Sequence, residues 1–156
     1  MGGVNHIRVR AVDHSTAPDL DGPALDLGRA SRKGIEGPKP ALDRGTAIVG
    51  LEPSCLLTLR DEYPAMLSGK DVETLTSRAM LFEEYLAAER KAGRLDLALK
   101  PLPEKRALLH GHCHQKAFGA VSPVLEVIRL IPGAQPALIE SSCCGMAGSF
   151  GYEASH

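Results

Sequence analysis

Each of three short apolar runs in this chain is followed within a few residues by cysteine, and that placement constrains the fold more than any other feature. The runs are TAIVGLE from Thr46, RALLHG from Arg106 and PALIES from Pro136, leading to Cys55, to Cys113 and to the adjacent Cys143 and Cys144. Their length and residue types are those of buried strands. Helical periodicity fills the gaps between them. In DVETLTSRAMLFEEYLAAERKAG, Val72, Leu75, Ala79, Phe82 and Leu86 step by three or four residues and share one helix face. Asp71 is placed to cap the start of that helix and Gly93 to close its end. SPVLEVIRLIPG predicts a shorter helix, with Ser122 as N-cap, Pro123 in the first turn and a stop at Pro132 and Gly133. A third helix is expected from Ser54 to a break at Pro64. Strands that alternate with helices specify parallel βαβ units with right-handed crossovers, so the expected fold class is α/β.

In an open parallel sheet, the loops that leave the carboxyl ends of the strands converge on one edge. Three such loops would deliver Cys55, Cys113, Cys143 and Cys144 to one place, as cysteine-bearing loops at the C-terminal ends of the strands. Thiolates are ligands for soft metals and for clusters, and nearby positive charge and peptide N–H groups favour their deprotonation. Gly145, Gly148 and Gly151 leave the backbone close to the paired sulfurs, while His110, His112, His114 and Lys116 surround Cys113 with donors. His112 and His114 are expected to act through hydrogen bonds rather than as direct ligands. The chain has no Cys-x-x-Cys knuckle of the kind that structural zinc sites use. A neighbouring pair suits bridging or unusual geometry, and a single zinc ion held from separate loops is also compatible.

Catalysis by the cysteines is not indicated. Cys113 lies between two histidines, but immediate neighbours rarely point at each other, and nucleophile and base usually come from separate elements. Glu52, Asp61 and Glu62 are read as solvated or capping carboxylates.

Composition narrows the function classes. The 156 residues fit one domain, and 44% apolar with 24% charged residues excludes a fibrous or wholly disordered chain. A net charge of −1 gives no field that would draw the chain to nucleic acid or to an anionic bilayer. No apolar stretch is long enough to cross a membrane, and MGGVNHIRVRAVDHS lacks a secretory h-region, so the cytoplasm is the expected compartment. Residues 1–44 are rich in Gly, Pro and charge and are expected to be extended or disordered. The domain proper is expected over 45–156.

GLEPSCLLTLRDEYPAML, HGHCHQKA and SSCCGMAGSFGYE occur in that order. These segments resemble the cysteine-rich CCG domain of iron–sulfur subunits and domains of FAD-linked glycolate, lactate and D-2-hydroxyglutarate dehydrogenases, and of the CCG-bearing subunit of heterodisulfide reductase. The resemblance runs from about Gly45 to Tyr152. It implies that Cys55, Cys113, Cys143 and Cys144 hold an iron–sulfur cluster, or zinc in some branches, with Gly145 following the pair. It further implies an electron-transfer module of an oxidoreductase that oxidises a 2-hydroxy acid. The expected partners are a flavoprotein domain or subunit carrying FAD and a ferredoxin-like iron–sulfur domain, in a complex that can associate peripherally with a membrane. The family pattern continues to a further cysteine-bearing strand and loop, and usually includes a second CCG repeat. This sequence has neither, nor any ferredoxin-like cysteine run. The resemblance therefore implies a partial CCG domain, a fragment of a larger electron-transfer protein. A zinc-stabilised scaffold and a non-functional remnant are the alternatives.

Overall fold

The computed structural model describes residues 35–141, which form two units, one of residues 35–50 and 55–80 and the other of 51–54 and 81–141. In the first, α1 (Lys39–Leu42) carries Pro40 in its first turn, where a missing N–H is harmless. It closes at Gly45, whose φ of +77° is left-handed, with Gly45 N–H donating to Leu42 O (2.8 Å) and Thr46 N–H to Ala41 O (3.0 Å). Strand β1 (Ile48–Gly50) follows, then α2 (Pro53–Thr58), α3 (Glu62–Met66), α4 (Lys70–Arg78) and β2 (Ala79–Leu81), which pairs with β1. A Cβ at Gly50 would lie 2.8 Å from both Cβ and Cδ1 of Leu56, so only glycine lets the end of β1 pass this close to α2.

The core of this unit is Ile35, Leu42, Leu67, Val72 and Leu75, with Ile48, Leu59 and Tyr63 packed against it. Each fully buried aliphatic side chain contributes about 1.5–3 kcal/mol relative to exposure. Ile35 and Leu42 fall within the stretch expected to be extended. Residues 35–44 instead contribute to the core through Ile35, ahead of α1, and Leu42, its last residue, both buried in the cluster; residues 1–34 lie outside the described residues.

The single helix expected from Asp71 to Gly93 is two helices with a strand between them. α4 starts behind Gly69 rather than at a capping Asp71, and Asp71 and Glu73 in its first turn with Arg78 in its last complement the helix dipole. Val72 and Leu75, three residues apart, form its buried face. At Ala79 the backbone turns extended (φ −77°, ψ 120°), and Ala79 and Leu81 are both buried with Met80 between them, the period of a strand. The helix expected from Ser54 to Pro64 is also interrupted. It ends at Thr58 and restarts at Glu62, with Pro64 inside the first turn of α3, where proline is tolerated.

In the second unit, α5 (Phe82–Lys91) opens with the Leu81 N–H donating to Glu84 Oε2 (2.8 Å). It closes as the sequence predicts, at Gly93 with φ +67°: Gly93 N–H donates to Arg90 O (3.0 Å) and Arg94 N–H to Glu89 O (2.9 Å). Residues 94–105 then lead without helix or strand to β3 (Arg106–Leu109), α6 (Cys113–Ala117), α7 (Val121–Ile128) and β4 (Gln135–Leu138). α7 starts behind Ala120 rather than Ser122, and Pro123 remains in its first turn. β3 and β4 are parallel in the register Arg106↔Gln135 to Leu109↔Leu138. Bonds from Gln135 N–H to Lys105 O (2.6 Å) and from Ile139 N–H to Leu109 O (2.8 Å) extend the ladder at each end. This is the expected parallel crossover unit, with α7 packed on α5 and on β4. Among the described residues, no helix is long and apolar enough to cross a membrane.

Candidate functional site

The chain leaves β3 through His110 and Gly111 and enters α6 at His112. Gly111 is buried, and a Cβ there would lie 3.0 Å from Val121 Cγ2, so the turn passes directly over the start of α7. His112 is the N-cap, extended at φ −62° and ψ 148°. Its Nδ1 accepts from the His114 N–H (3.2 Å), and its own N–H donates to Oε1 of Gln115 (3.1 Å). Two backbone donors at the start of a five-residue helix are thereby satisfied by side chains. Gln115, only 7% exposed, is the buried polar residue of this arrangement. Cys113 is the first residue of α6 and its thiol is exposed. The rings of His112 and His114 stack, with centroids 5.3 Å apart and planes 16° from parallel.

The chain leaves β4 through Ile139, Glu140 and Ser141. Ser141 Oγ is 3.1 Å from His110 Nε2, and the Ser141 carbonyl accepts from Lys116 Nζ at 2.8 Å. The exits of the two parallel strands therefore meet, as the geometry of a parallel sheet requires. The segment in contact with the α6 region is the one that leads, two residues later, to Cys143.

Cys55 is the third residue of α2 and is also exposed. Just before it, Glu52 Oε1 accepts from both the N–H (3.1 Å) and the Oγ (2.6 Å) of Ser54, which is a capping role for this carboxylate. Asp61 is the N-cap residue of α3 and Glu62 lies in its first turn. Cys143, Cys144 and Gly145, with Gly148 and Gly151, lie outside the described residues. Among the described residues, no three of His, Cys, Asp and Glu are gathered as a metal ion would need. Ser141 and Gln115 were not singled out from the sequence. Gln115 carries a signal, since a Gln three residues after an N-cap is the second half of a capping box. Ser141 carries none beyond ending the third apolar run.

The chain is 34% identical over 110 residues to one of the subunits of the anaerobic glycerol-3-phosphate dehydrogenase of Escherichia coli, in strains K12 and O157:H7 alike. It is 33% identical over 117 residues to D-2-hydroxyglutarate dehydrogenase of Haemophilus influenzae. These relatives are a dehydrogenase and a dehydrogenase subunit. Each match covers 70% of this chain, but 27% of the glycerol-3-phosphate dehydrogenase subunit and 11% of the D-2-hydroxyglutarate dehydrogenase. The chain thus matches about a quarter of the first and about a tenth of the second. No family model matches the chain. No solved structure matches it.

Proposed function

We propose that this chain is an electron-transfer module of an FAD-linked dehydrogenase, with an iron–sulfur centre held by Cys55, Cys113, Cys143 and Cys144. The observation that carries the reading is that a stretch of 110–117 residues is shared with two dehydrogenase chains of very different length. A segment reused in that way supplies a step common to both rather than the recognition of either substrate. Passing on electrons is such a step. One of the two relatives is named for a 2-hydroxy acid, and the narrower proposal is that the substrate here is also a 2-hydroxy acid.

The donor set fits an iron–sulfur centre. Thiolates are its usual ligands, and both described cysteines stand exposed in the first turn of a helix that follows a strand. When bound, such a centre supplies reversible one-electron storage. At Cys113 the chain's own residues order the backbone: the His112–Gln115 capping box fixes the first turn of α6. Lys116 and His110 hold the segment that leads to the paired cysteines. His112 and His114 add donors around Cys113. Hydride abstraction belongs to FAD on a flavoprotein partner, with a ferredoxin-like domain as the next carrier. The test is iron, zinc and acid-labile sulfide per chain after reconstitution without oxygen, for the wild type and for Cys113→Ser. Iron with comparable sulfide, lost in the variant, supports the proposal. Stoichiometric zinc alone would replace it with a redox-inert scaffold.

A further inference from the structure

The ends of α5 and α7 border a cavity of about 280 Å³, open to solvent at its rim. The two helices pack on each other, and each brings cations to that end: Arg90 and Lys91 in the last turn of α5, and Arg129 as the C-cap of α7. Ala87, Val127 and Leu130, all half-buried, form an apolar floor, and the exposed Glu126 adds a carboxylate. Cations near the end of a helix complement its dipole, which accounts for them one helix at a time. It leaves their nitrogens without partners: among the described residues, no hydrogen bond or ion pair engages the side chains of Arg90, Lys91, Arg129 or Glu126. The neighbouring acid on α5, Glu89, is already bonded through both oxygens to Arg94.

Size and charge narrow the occupant. Sites for whole cofactors and drug-sized ligands run to about 300–1,000 Å³ and enclose most of the ligand, so a smaller, open cavity suits an inserted side chain. The net charge of −1 gives the chain no general attraction for anions, so the attraction is local to this rim. A concave apolar floor ringed by cations complements an apolar side chain flanked by carboxylates, which arginine can hold through two parallel bonds. We infer that this cavity docks an acidic segment of a partner protein, with one apolar side chain on Ala87, Val127 and Leu130 and the neighbouring carboxylates on Arg90, Lys91 and Arg129. α7 starts against the Gly111 turn, and the cavity lies at its other end, about 12 Å along the helix. The docking site is thereby separate from the turn that carries Cys113, and it does not rest on the electron-transfer reading.

Fluorescence polarisation on the full chain tests this, with a labelled peptide of alternating glutamate and leucine as probe and a peptide of alternating glutamine and leucine as control. The acidic peptide should bind at low salt and weaken as salt rises, and the neutral one should bind about ten-fold more weakly. Arg90→Gln, Lys91→Gln and Arg129→Gln combined should weaken the acidic peptide about ten-fold. Glu126→Gln should tighten it about two-fold, a gain that a damaged fold would not produce, whereas Glu104→Gln, outside the cavity, should leave it unchanged. Equal binding of the two peptides, binding of neither, or unchanged affinity in the triple variant would overturn the proposal. Equal tightening in Glu126→Gln and Glu104→Gln would also overturn it, by tracing the effect to net charge. Phosphatidylglycerol vesicles that bind through the three cations while the acidic peptide does not would replace the partner protein with a lipid surface.

Discussion

Nδ1 of His112 accepts a hydrogen bond from the backbone N–H of His114, 3.2 Å away. A ring nitrogen that accepts carries no proton, so this contact fixes which face of the imidazole is used: Nδ1 serves the helix and Nε2 is left for other partners. The residue that the sequence marks as a neighbour of Cys113 is thus a structural cap as well.

Replacing that cap should weaken the fold locally. His112→Ala is expected to cost about 0.5–2 kcal/mol, the range for loss of an N-cap side chain, and His112→Asn should recover most of it because its carbonyl oxygen can accept the same N–H. Urea unfolding of the two variants beside the wild type measures this. Equal stability of His112→Ala and wild type would show that the capping bond contributes nothing.

The burial pattern separates two leucines of similar sequence setting. Leu75 is fully buried in the first unit, whereas Leu108, in the middle of β3, is 66% exposed. Leu75→Ala should therefore cost about 2–5 kcal/mol as a cavity substitution. Leu108→Ala should change stability by no more than about 0.5 kcal/mol. Denaturant midpoints at constant slope would check both values.

Acid should remove one specific contribution. The guanidinium of Arg94 bonds both carboxylate oxygens of Glu89, Nε to Oε2 at 2.9 Å and Nη2 to Oε1 at 2.6 Å, and holds that carboxyl below its ordinary value of 4.5. A carboxylate with a lowered folded-state pKa stabilises the fold above its unfolded value, and that stabilisation is lost as pH falls through the folded one. The melting-temperature difference between wild type and Arg94→Gln should accordingly be present at neutral pH and shrink as pH drops below about 4. A difference that stays constant down to about pH 2.5 would contradict this assignment.

Much of the fold was legible because its strongest signals are local. Three short apolar runs became β1, β3 and β4, and the glycines at 45 and 93 end helices with positive φ. β2 was hidden by coincidence of phase. Val72, Leu75, Ala79, Phe82 and Leu86 keep a helical step straight across the break, and only the burial of both Ala79 and Leu81 reveals a two-residue period. Tertiary pairing with β1 overrode the local pattern there. At the candidate site, the sequence indicated which residues surround Cys113 but not what they do. The cap made by His112 and the reach of Lys116 to Ser141 depend on backbone geometry and on a contact across 25 residues of sequence. The paired cysteines follow Ser141 and lie outside the described residues, so their assignment as ligands is carried by sequence resemblance.

The central claim is that the chain stores and passes electrons, and an anaerobic reductive titration of the reconstituted full chain tests it most directly. The account predicts reversible bleaching of visible absorbance with about one electron taken up per chain, abolished in Cys113→Ser while the variant stays folded. A folded wild-type chain that is loaded with metal yet accepts no electrons would contradict it.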